Sequence, residues 1–321
     1  MAAAAVPIGV TALVFGEGGW MNISGSDTVH AVLTSLFVAA VISRPAIRAG
    51  ALLSAAGVLA AYLVHTPVGL NATRLVTMFA LPVLAAYLPA RDATLGRVRV
   101  PGRVWLVAVL VAVALWQPPV LVDDLGDAGN PTAARSYFAP LTAELARRPP
   151  GRIEIPPTRD YWEAAHAVTA APLARGWLRQ VDIDRNPLFF DGTLTADTYR
   201  EWLIDNGVRY VAVSDAEPSW VGRAESRLVR AGQPYLTEVW RGGHWTLYEV
   251  AGPPSIADGA TVVAATGDRV TVDVPAAGDY TVRVRWSRWL DVAGPAGARI
   301  ERHGRWSSLK VTAPGRYTIT G

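Results

Sequence analysis

The sequence predicts an α-helical membrane bundle of about five transmembrane helices, followed by an extracytoplasmic α/β domain and a C-terminal β-sandwich. Three observations predict it. Apolar segments joined by short loops crowd the first third of the 321 residues. Only 18% of residues are charged, against roughly 25% in an average soluble protein. Beyond Pro118 no apolar stretch is long enough to span a bilayer. The expected domains are 1–119, 120–252 and 253–321.

The apolar segments are Ala2–Phe15, Thr28–Ile42, Ala51–Val64, Leu75–Leu88 and Val104–Trp116. Each core is shorter than the roughly 20 residues that cross a bilayer, but uncharged flanks such as Gln117–Leu121 can lengthen several of them. Their Ala, Leu and Val leave almost no polar stripe, unlike a helix packed in water. Orientation follows from arginine. Arg44 and Arg48 lie in one loop, and Arg91, Arg97, Arg99 and Arg103 in another, whereas Glu17–Asp27 and His65–Thr73 contain no Lys or Arg. Positive loops are cytoplasmic, so residues after Pro118 are expected outside, in a multi-pass protein of the plasma membrane. The first segment has no positive n-region, so it is a poor signal peptide, and the chain reads as beginning inside a larger membrane protein. The expected outer face gathers Glu17, Asp27, His30, His65, Asn71 and Arg74. Ionisable groups at such depth are often functional, and Arg74 is suited to a lipid phosphate or to a carboxylate such as Asp27.

After the linker Asp123–Pro131, Ala133–Arg147 has helical periodicity and Arg152–Ile155 is a short strand bounded by prolines. Thr195 is placed to cap a helix over Ala196–Asn206. Its Tyr199, Trp202 and Leu203 share one face, and Gly207 sits where a left-handed cap belongs. Val208–Val213 is an apolar strand. Ser219–Ala231 is a helix closed by Gly232, and Leu236–Arg241 and His244–Val250 form a hairpin around Gly242-Gly243. After Gly252-Pro253-Pro254, short alternating strands follow at regular spacing: Thr261–Ala264, Arg269–Val274, Tyr280–Trp286, Arg299–Arg302, Ser307–Val311 and Arg316–Thr320.

The chemistry is less explicit. There is no cysteine, which removes disulfides and thiol catalysis. Lys310 is the only lysine, and the arginines form no block or aromatic-interleaved patch, so nucleic acid is not an expected partner. No P-loop, dinucleotide fingerprint, HExxH or GxSxG is present, and the five histidines have no ligand spacing; no cofactor or metal is expected. Asp182-Ile183-Asp184 would set two carboxylates on one side of an extended segment, where a divalent metal could bind, but so short a pattern is common by chance. A denser group runs through Arg159, Trp162, Glu163, Arg175, Trp177 and Arg179. Aromatic faces beside arginines and a carboxylate suit ring stacking and the clamping of phosphate or carboxylate, and equally suit a packing network.

Tyr161-Trp162-Glu163-Ala164-Ala165, Pro172-Leu173-Ala174-Arg175-Gly176-Trp177-Leu178-Arg179-Gln180, Asn186-Pro187-Leu188-Phe189-Phe190-Asp191-Gly192 and Gly207-Val208-Arg209-Tyr210-Val211-Ala212-Val213 resemble a family of actinobacterial polytopic integral membrane proteins described as related to 6-pyruvoyl-tetrahydropterin synthase. Asn71-Ala72-Thr73-Arg74-Leu75 extends the resemblance into the first third. The layout is also similar to the C-terminal part of GT-C-type glycosyltransferases and YfhO-like proteins. The resemblance implies glycosyl transfer from a polyprenyl-phosphate sugar to envelope glycan at the outer face of the lipid bilayer. No catalytic residue carries over by position. Asp27 is the best-placed base, Arg74 would steady the leaving phosphate, and His30, Asn71 and the Arg159–Arg179 group would hold substrate. A non-catalytic, membrane-anchored module binding glycan or protein is the competing reading. A transporter is a weaker one, since the bundle has no inverted repeat and, apart from Pro82, no broken helix.

Overall fold

In a computed structural model the chain divides into two compact units. One is Met1–Ala128 with Arg179–Arg185, and the other is Gly129–Leu178 with Asn186–Gly321. The structure describes residues 19–90, 92–95, 98–117 and 126–321, together with 6, 10, 11, 14 and 16.

The first unit contains α1 (Gly25–Val41), α2 (Pro45–Leu63), α3 (Arg74–Tyr87) and α4 (Gly102–Trp116), with a two-stranded hairpin of β1 (Ala93–Leu95) and β2 (Val98–Val100) before α4. Ser24 caps α1: its Oγ accepts the Asp27 N–H at 2.9 Å and donates to the Asp27 carboxylate at 2.7 Å. Pro45 opens α2, where its missing N–H leaves no helical bond unmade. The core of the unit is small and aliphatic, built on Ala31, Val38, Ile42, Val58, Val76 and Leu84.

This unit corrects the expected architecture. Among the described residues, two helical stretches are long and apolar enough to cross a membrane, Pro45–Leu63 and Gly69–Tyr87, of 19 residues each. Gly25–Val41 and Gly102–Trp116 are shorter, at 17 and 15 residues. Ala2–Phe15 falls almost wholly outside the described residues, as do Glu17, Pro118 and Asp123-Asp124. The difference is one of punctuation. Ser24 starts α1, and the extended Ile42 ends it two residues before Arg44 and three before Pro45. Pro101 and the extended Gln117 bracket α4. An apolar run reports a helix's composition, whereas caps and prolines set its length. Most of the chain builds a multi-sheet α/β architecture instead. The fold class of a five-helix bundle with a β-sandwich, the resemblance to polytopic membrane proteins, the multi-pass plasma-membrane location and the lipid bilayer as partner are therefore all corrected.

The second unit is built on a four-stranded sheet of order β3-β4-β6-β5, from β3 (Arg152–Glu154), β4 (Val208–Ser214), β5 (Leu236–Gly242) and β6 (Trp245–Val250). β3 and β4 run parallel, and the other pairs are antiparallel. Its helices are α5 (Arg135–Leu145), α6 (Glu163–His166), α7 (Ala196–Asp205) and α8 (Gly222–Arg230). On one face, Tyr137, Phe138 and Leu141 of α5 pack on Ile153, Tyr210, Ala212, Trp245 and Leu247. On the other, Tyr199, Trp202 and Leu203 of α7 and Val229 of α8 pack on Val211, Val213 and Val250. A register shift opposite Arg152/Ile153 leaves Arg209 outside the pairing and turns Val208 to the α7 side, as a bulge does. The Thr195 cap is reciprocal: Thr198 N–H donates to Thr195 Oγ1 at 3.2 Å, and Thr195 N–H to Thr198 Oγ1 at 2.9 Å.

The remaining strands are β7 (Thr261–Ala265), β8 (Arg269–Val274), β9 (Gly278–Val282), β10 (Asp291–Ala293), β11 (Arg299–His303), β12 (Trp306–Val311) and β13 (Gly315–Thr320). They form two antiparallel sheets, β10-β13-β8-β7 and β11-β12-β9, around one shared core. Alternation puts Val270, Val272 and Val274 inside, against Val282, Leu309, Tyr317 and Ile319. Arg152 ties these sheets to the α/β layer by donating from Nη1 to Asn206 O and from Nη2 to Arg283 O, each at 2.6 Å. Arg283 donates from Nη1 to Ser255 O at 2.9 Å and from Nε to Asp205 O at 3.2 Å.

Gly207 shows how closely these parts approach. Its φ is +64°, and a Cβ there would meet Ser255 O at 2.6 Å and Arg283 Cδ at 2.9 Å. Gly207→Ala is expected to cost ~2–4 kcal/mol, from left-handed strain plus overpacking. Gly304, with φ +59° but nothing near its Cβ position, supplies the comparison: Gly304→Ala should cost only ~1 kcal/mol. Urea denaturation of both variants measures the difference.

Candidate functional site

The carboxyl ends of the two parallel strands lie at one edge of the sheet, the position where open α/β sheets commonly hold ligands. β4 ends at Ser214 and Asp215 follows. β6 starts at Trp245, directly after His244, because the Gly242-Gly243 turn returns the chain to this edge; Gly243 takes φ +56°. The Asp215 N–H donates to His244 O at 2.9 Å, which fixes the two side chains as neighbours. His244 Nδ1 then lies 2.9 Å from Asp215 Oδ2. Tyr137, from the start of α5, donates its hydroxyl to Asp215 Oδ1 at 2.8 Å and accepts the Ala216 N–H at 3.2 Å. The His244 ring stacks on the Tyr137 ring at 4.5 Å with an 8° interplanar angle.

Burial works against the Asp215 charge, but the bonds from His244 and Tyr137 outweigh it and hold the carboxyl below its ordinary range. Burial pushes the Tyr137 hydroxyl up to about 12, so it remains a donor at neutral pH. Beside this trio opens a cavity of about 490 Å³, lined by Ser214, Asp215, Arg230, Arg241, His244 and Thr246 among others. The Arg230 guanidinium donates to the Ser214 carbonyl, and Arg241 is held by Glu238 in a two-point bond at 3.0 and 2.7 Å. The arrangement offers two positioned guanidinium groups and an imidazole oriented by a carboxylate. Such a wall accepts an anion and can exchange a proton with it.

Behind the sheet edge lies a charged network within the core. Arg175 Nη1 is 2.9 Å from Glu225 Oε2 and 3.6 Å from Glu154 Oε1, and all three side chains are buried. The Tyr199 hydroxyl donates to Glu225 Oε1 at 2.8 Å, and the Arg175 guanidinium lies over the Phe189 ring at 3.7 Å. Burial, then Glu225 and Glu154, hold the Tyr199 hydroxyl well above its ordinary pKa. Glu163 is also buried. Its Oε2 accepts from Thr158 Oγ1 at 2.6 Å and from Thr158 N–H at 3.1 Å. Burial lifts its pKa to about 7, against the opposing pull of Thr158 and Arg175. Between Thr158 and Glu163, Tyr161 holds φ +60°, a conformation costly for a side chain that bulky.

The residues read from the sequence are distributed as follows. Asp27 sits in the first turn of α1 and serves the Ser24 cap. His30 meets the Trp116 ring edge-on at 4.6 Å. Asn71 Nδ2 is 3.9 Å from Met21 Sδ, and Arg74 is exposed at the start of α3, with no ion pair to Asp27 among the described residues. Glu163 and Arg175 feel one another, and Trp162 stacks on His166 at 5.6 Å. Arg159 is exposed, Arg175 and Trp177 line a second cleft, and Arg179 belongs to the other unit. Asp182 and Asp184 lie on the short helix Arg179–Arg185 rather than on an extended segment, so their carboxylates leave its axis about 200° apart. No group of three or more His, Asp or Glu suited to a metal occurs among the described residues. A membrane glycosyltransferase drawing on a polyprenyl-phosphate sugar needs these residues gathered at one bilayer face. The chain instead divides them between two units, and among the described residues only two helical stretches are long and apolar enough to cross a membrane, so that function and enzyme class are corrected.

Sequence reasoning missed Tyr137, Asp215, Arg230, Arg241 and His244. One signal was available: Asp215 and His244 are polar residues at the ends of an apolar strand and of a glycine turn. The Tyr137–Asp215 contact spans 78 residues and follows only from the fold.

A family model described as Domain of unknown function (DUF8823) matches residues 257–305. That span covers β7–β11 and includes none of the residues of the sheet-edge cavity. No curated protein matches the chain, and no solved structure does.

Glu163 makes stability depend on pH. Its folded pKa is raised above the ordinary 4.5 to about 7, so the folded protein binds more protons than the unfolded chain between those values. Stability is therefore fully retained below about pH 4.5 and falls as pH rises through the window to about 7, by at most about 3 kcal/mol. Urea midpoints from pH 5 to 8 should decline more steeply for the native protein than for Glu163→Gln, whose amide keeps an acceptor for Thr158. Parallel declines would show that Glu163 does not carry the effect.

Proposed function

We propose that the second unit binds a small organic acid at the carboxyl edge of its parallel strand pair. Arg230 and Arg241 hold the carboxylates, and His244 acts as a hydrogen-bonding and proton-exchanging wall. The observation that carries the reading is the Tyr137–Asp215–His244 trio, which orients one imidazole beside a cavity of about 490 Å³ that also presents two arginines. Orientation matters because a ring already held by stacking and by a carboxylate loses little freedom when a ligand arrives. Further support is the use of the nearby acids: Glu238 is engaged with Arg241, and Asp215 with His244 and Tyr137. The ligand's carboxylates therefore meet donors first.

Citrate is a suitable probe for calorimetric titration. Arg230→Gln should weaken its binding about tenfold, equivalent to ~1.4 kcal/mol, and Asp215→Asn should weaken it less by loosening His244. Both variants should melt near the native temperature, since these side chains are largely exposed. Citrate binding equally well to Arg230→Gln, or showing no binding at millimolar concentration, would sink the reading.

A further inference from the structure

The second cleft of this unit lies between the α/β layer and the C-terminal sheets. It has a volume of about 410 Å³, and its lining includes Arg152, Arg175, Trp177, Asp268, Arg269 and Arg285. The charges here are unevenly matched. Arg175 answers to two buried carboxylates, Glu225 and Glu154. Among the described residues Arg152 has no carboxylate partner: its bonds go to the carbonyls of Asn206 and Arg283. Those bonds use two of the five N–H donors of a guanidinium, and its buried Nε has none. Arg152 is only 8% exposed, and it lines this cleft. A buried cation without a counter-ion is costly, and the neighbouring Arg285 and Arg283 make the cost greater. Burial, then Arg285 and Arg283, bring the Arg152 pKa down to about 10. Arg283 is answered by Asp258, on its own side of the junction.

We propose that this cleft is a site for a compact tetrahedral oxyanion, phosphate or sulfate, either free or at the end of a larger molecule, with Arg152 at its base and Arg269 and Arg285 at its sides. The anion is the counter-ion that the described residues do not supply to Arg152. It would cancel the repulsion among the arginines and fix the junction on which Arg152 already closes two bonds. Trp177, on the same wall and 61% exposed, offers a flat face to whatever a phosphate ester carries. The site is independent of the sheet-edge cavity and shares no lining residue with it.

The test uses the whole chain. Inorganic phosphate should raise the melting temperature by a few degrees at saturation, relative to sodium chloride of equal ionic strength. Amide chemical shifts should move around Gly267 and Arg269. Arg152→Met removes both junction bonds and can fail to fold, so the decisive variants are Arg269→Gln and Arg285→Gln. Each should weaken phosphate binding about tenfold. Arg223→Gln, which removes an exposed arginine paired with Glu217, should leave binding unchanged. Phenyl phosphate separates the sources. Tighter binding than phosphate, lost in Trp177→Ala, identifies an ester, and equal binding identifies the free anion. Three results would overturn the proposal: a temperature rise matched by chloride, equal affinity in Arg269→Gln and Arg285→Gln, or shifts confined to His244 and Thr246.

Discussion

The buried Arg175 is the point on which the second unit depends. Its guanidinium joins Glu154 at the end of β3, Glu225 of α8 and, through Glu225, the hydroxyl of Tyr199 on α7, while Phe189 covers its face. Each of these ions gives up hydration worth several kcal/mol, and only mutual contact offsets that loss. The constraint is strict, because removing any one member leaves a charge or a hydroxyl stranded where water cannot reach it. Two helices, a strand end and an aromatic turn are therefore held in one relative placement. That placement lays α7 and α8 on the sheet.

β3 shows how a three-residue strand can serve both ends of the unit. All three of its residues are buried. Period two puts Ile153 in the core beneath α5 and sends Arg152 and Glu154 to the opposite face. Glu154 meets the Arg175 network, and Arg152 reaches the end of α7 and the C-terminal sheets. One strand thus carries two buried charges with different fates. The acid finds its cation within the fold, and among the described residues the arginine finds only carbonyls and other arginines. The sheet-edge trio contrasts with both: Asp215 and His244 are exposed and are held by each other and by the buried Tyr137, which suits a surface that meets ligands rather than one that holds the core.

Legibility in the sequence followed the range of the interaction. Thr195, Gly207, Gly232 and Gly242-Gly243 act within a few residues, and the α7–β4–α8–hairpin run could be read from them. The apolar first third misled because hydropathy does not report where a helix stops; Ser24, Pro45 and Pro101 do. The D-x-D at Asp182 was a helix in place of an extended segment. The Arg159–Arg179 group looked like one site because its members are close in sequence, whereas the fold buries Glu163 and Arg175, exposes Arg159 and gives Arg179 to the other unit. The partners that matter most lie far apart: Arg175 and Glu225 are 50 residues distant, and Tyr137 and Asp215 are 78. No local pattern announces such pairs.

Arg175 is held as the counter-ion of two buried carboxylates. Equilibrium urea unfolding of Arg175→Met, alone and combined with Glu154→Gln and Glu225→Gln, measures that dependence. The single variant should lose ~3–5 kcal/mol by stranding both acids, and neutralising the acids in the combined variant should restore much of that loss. A loss below ~1 kcal/mol in the single variant, or additive losses in the combined one, would contradict the claim.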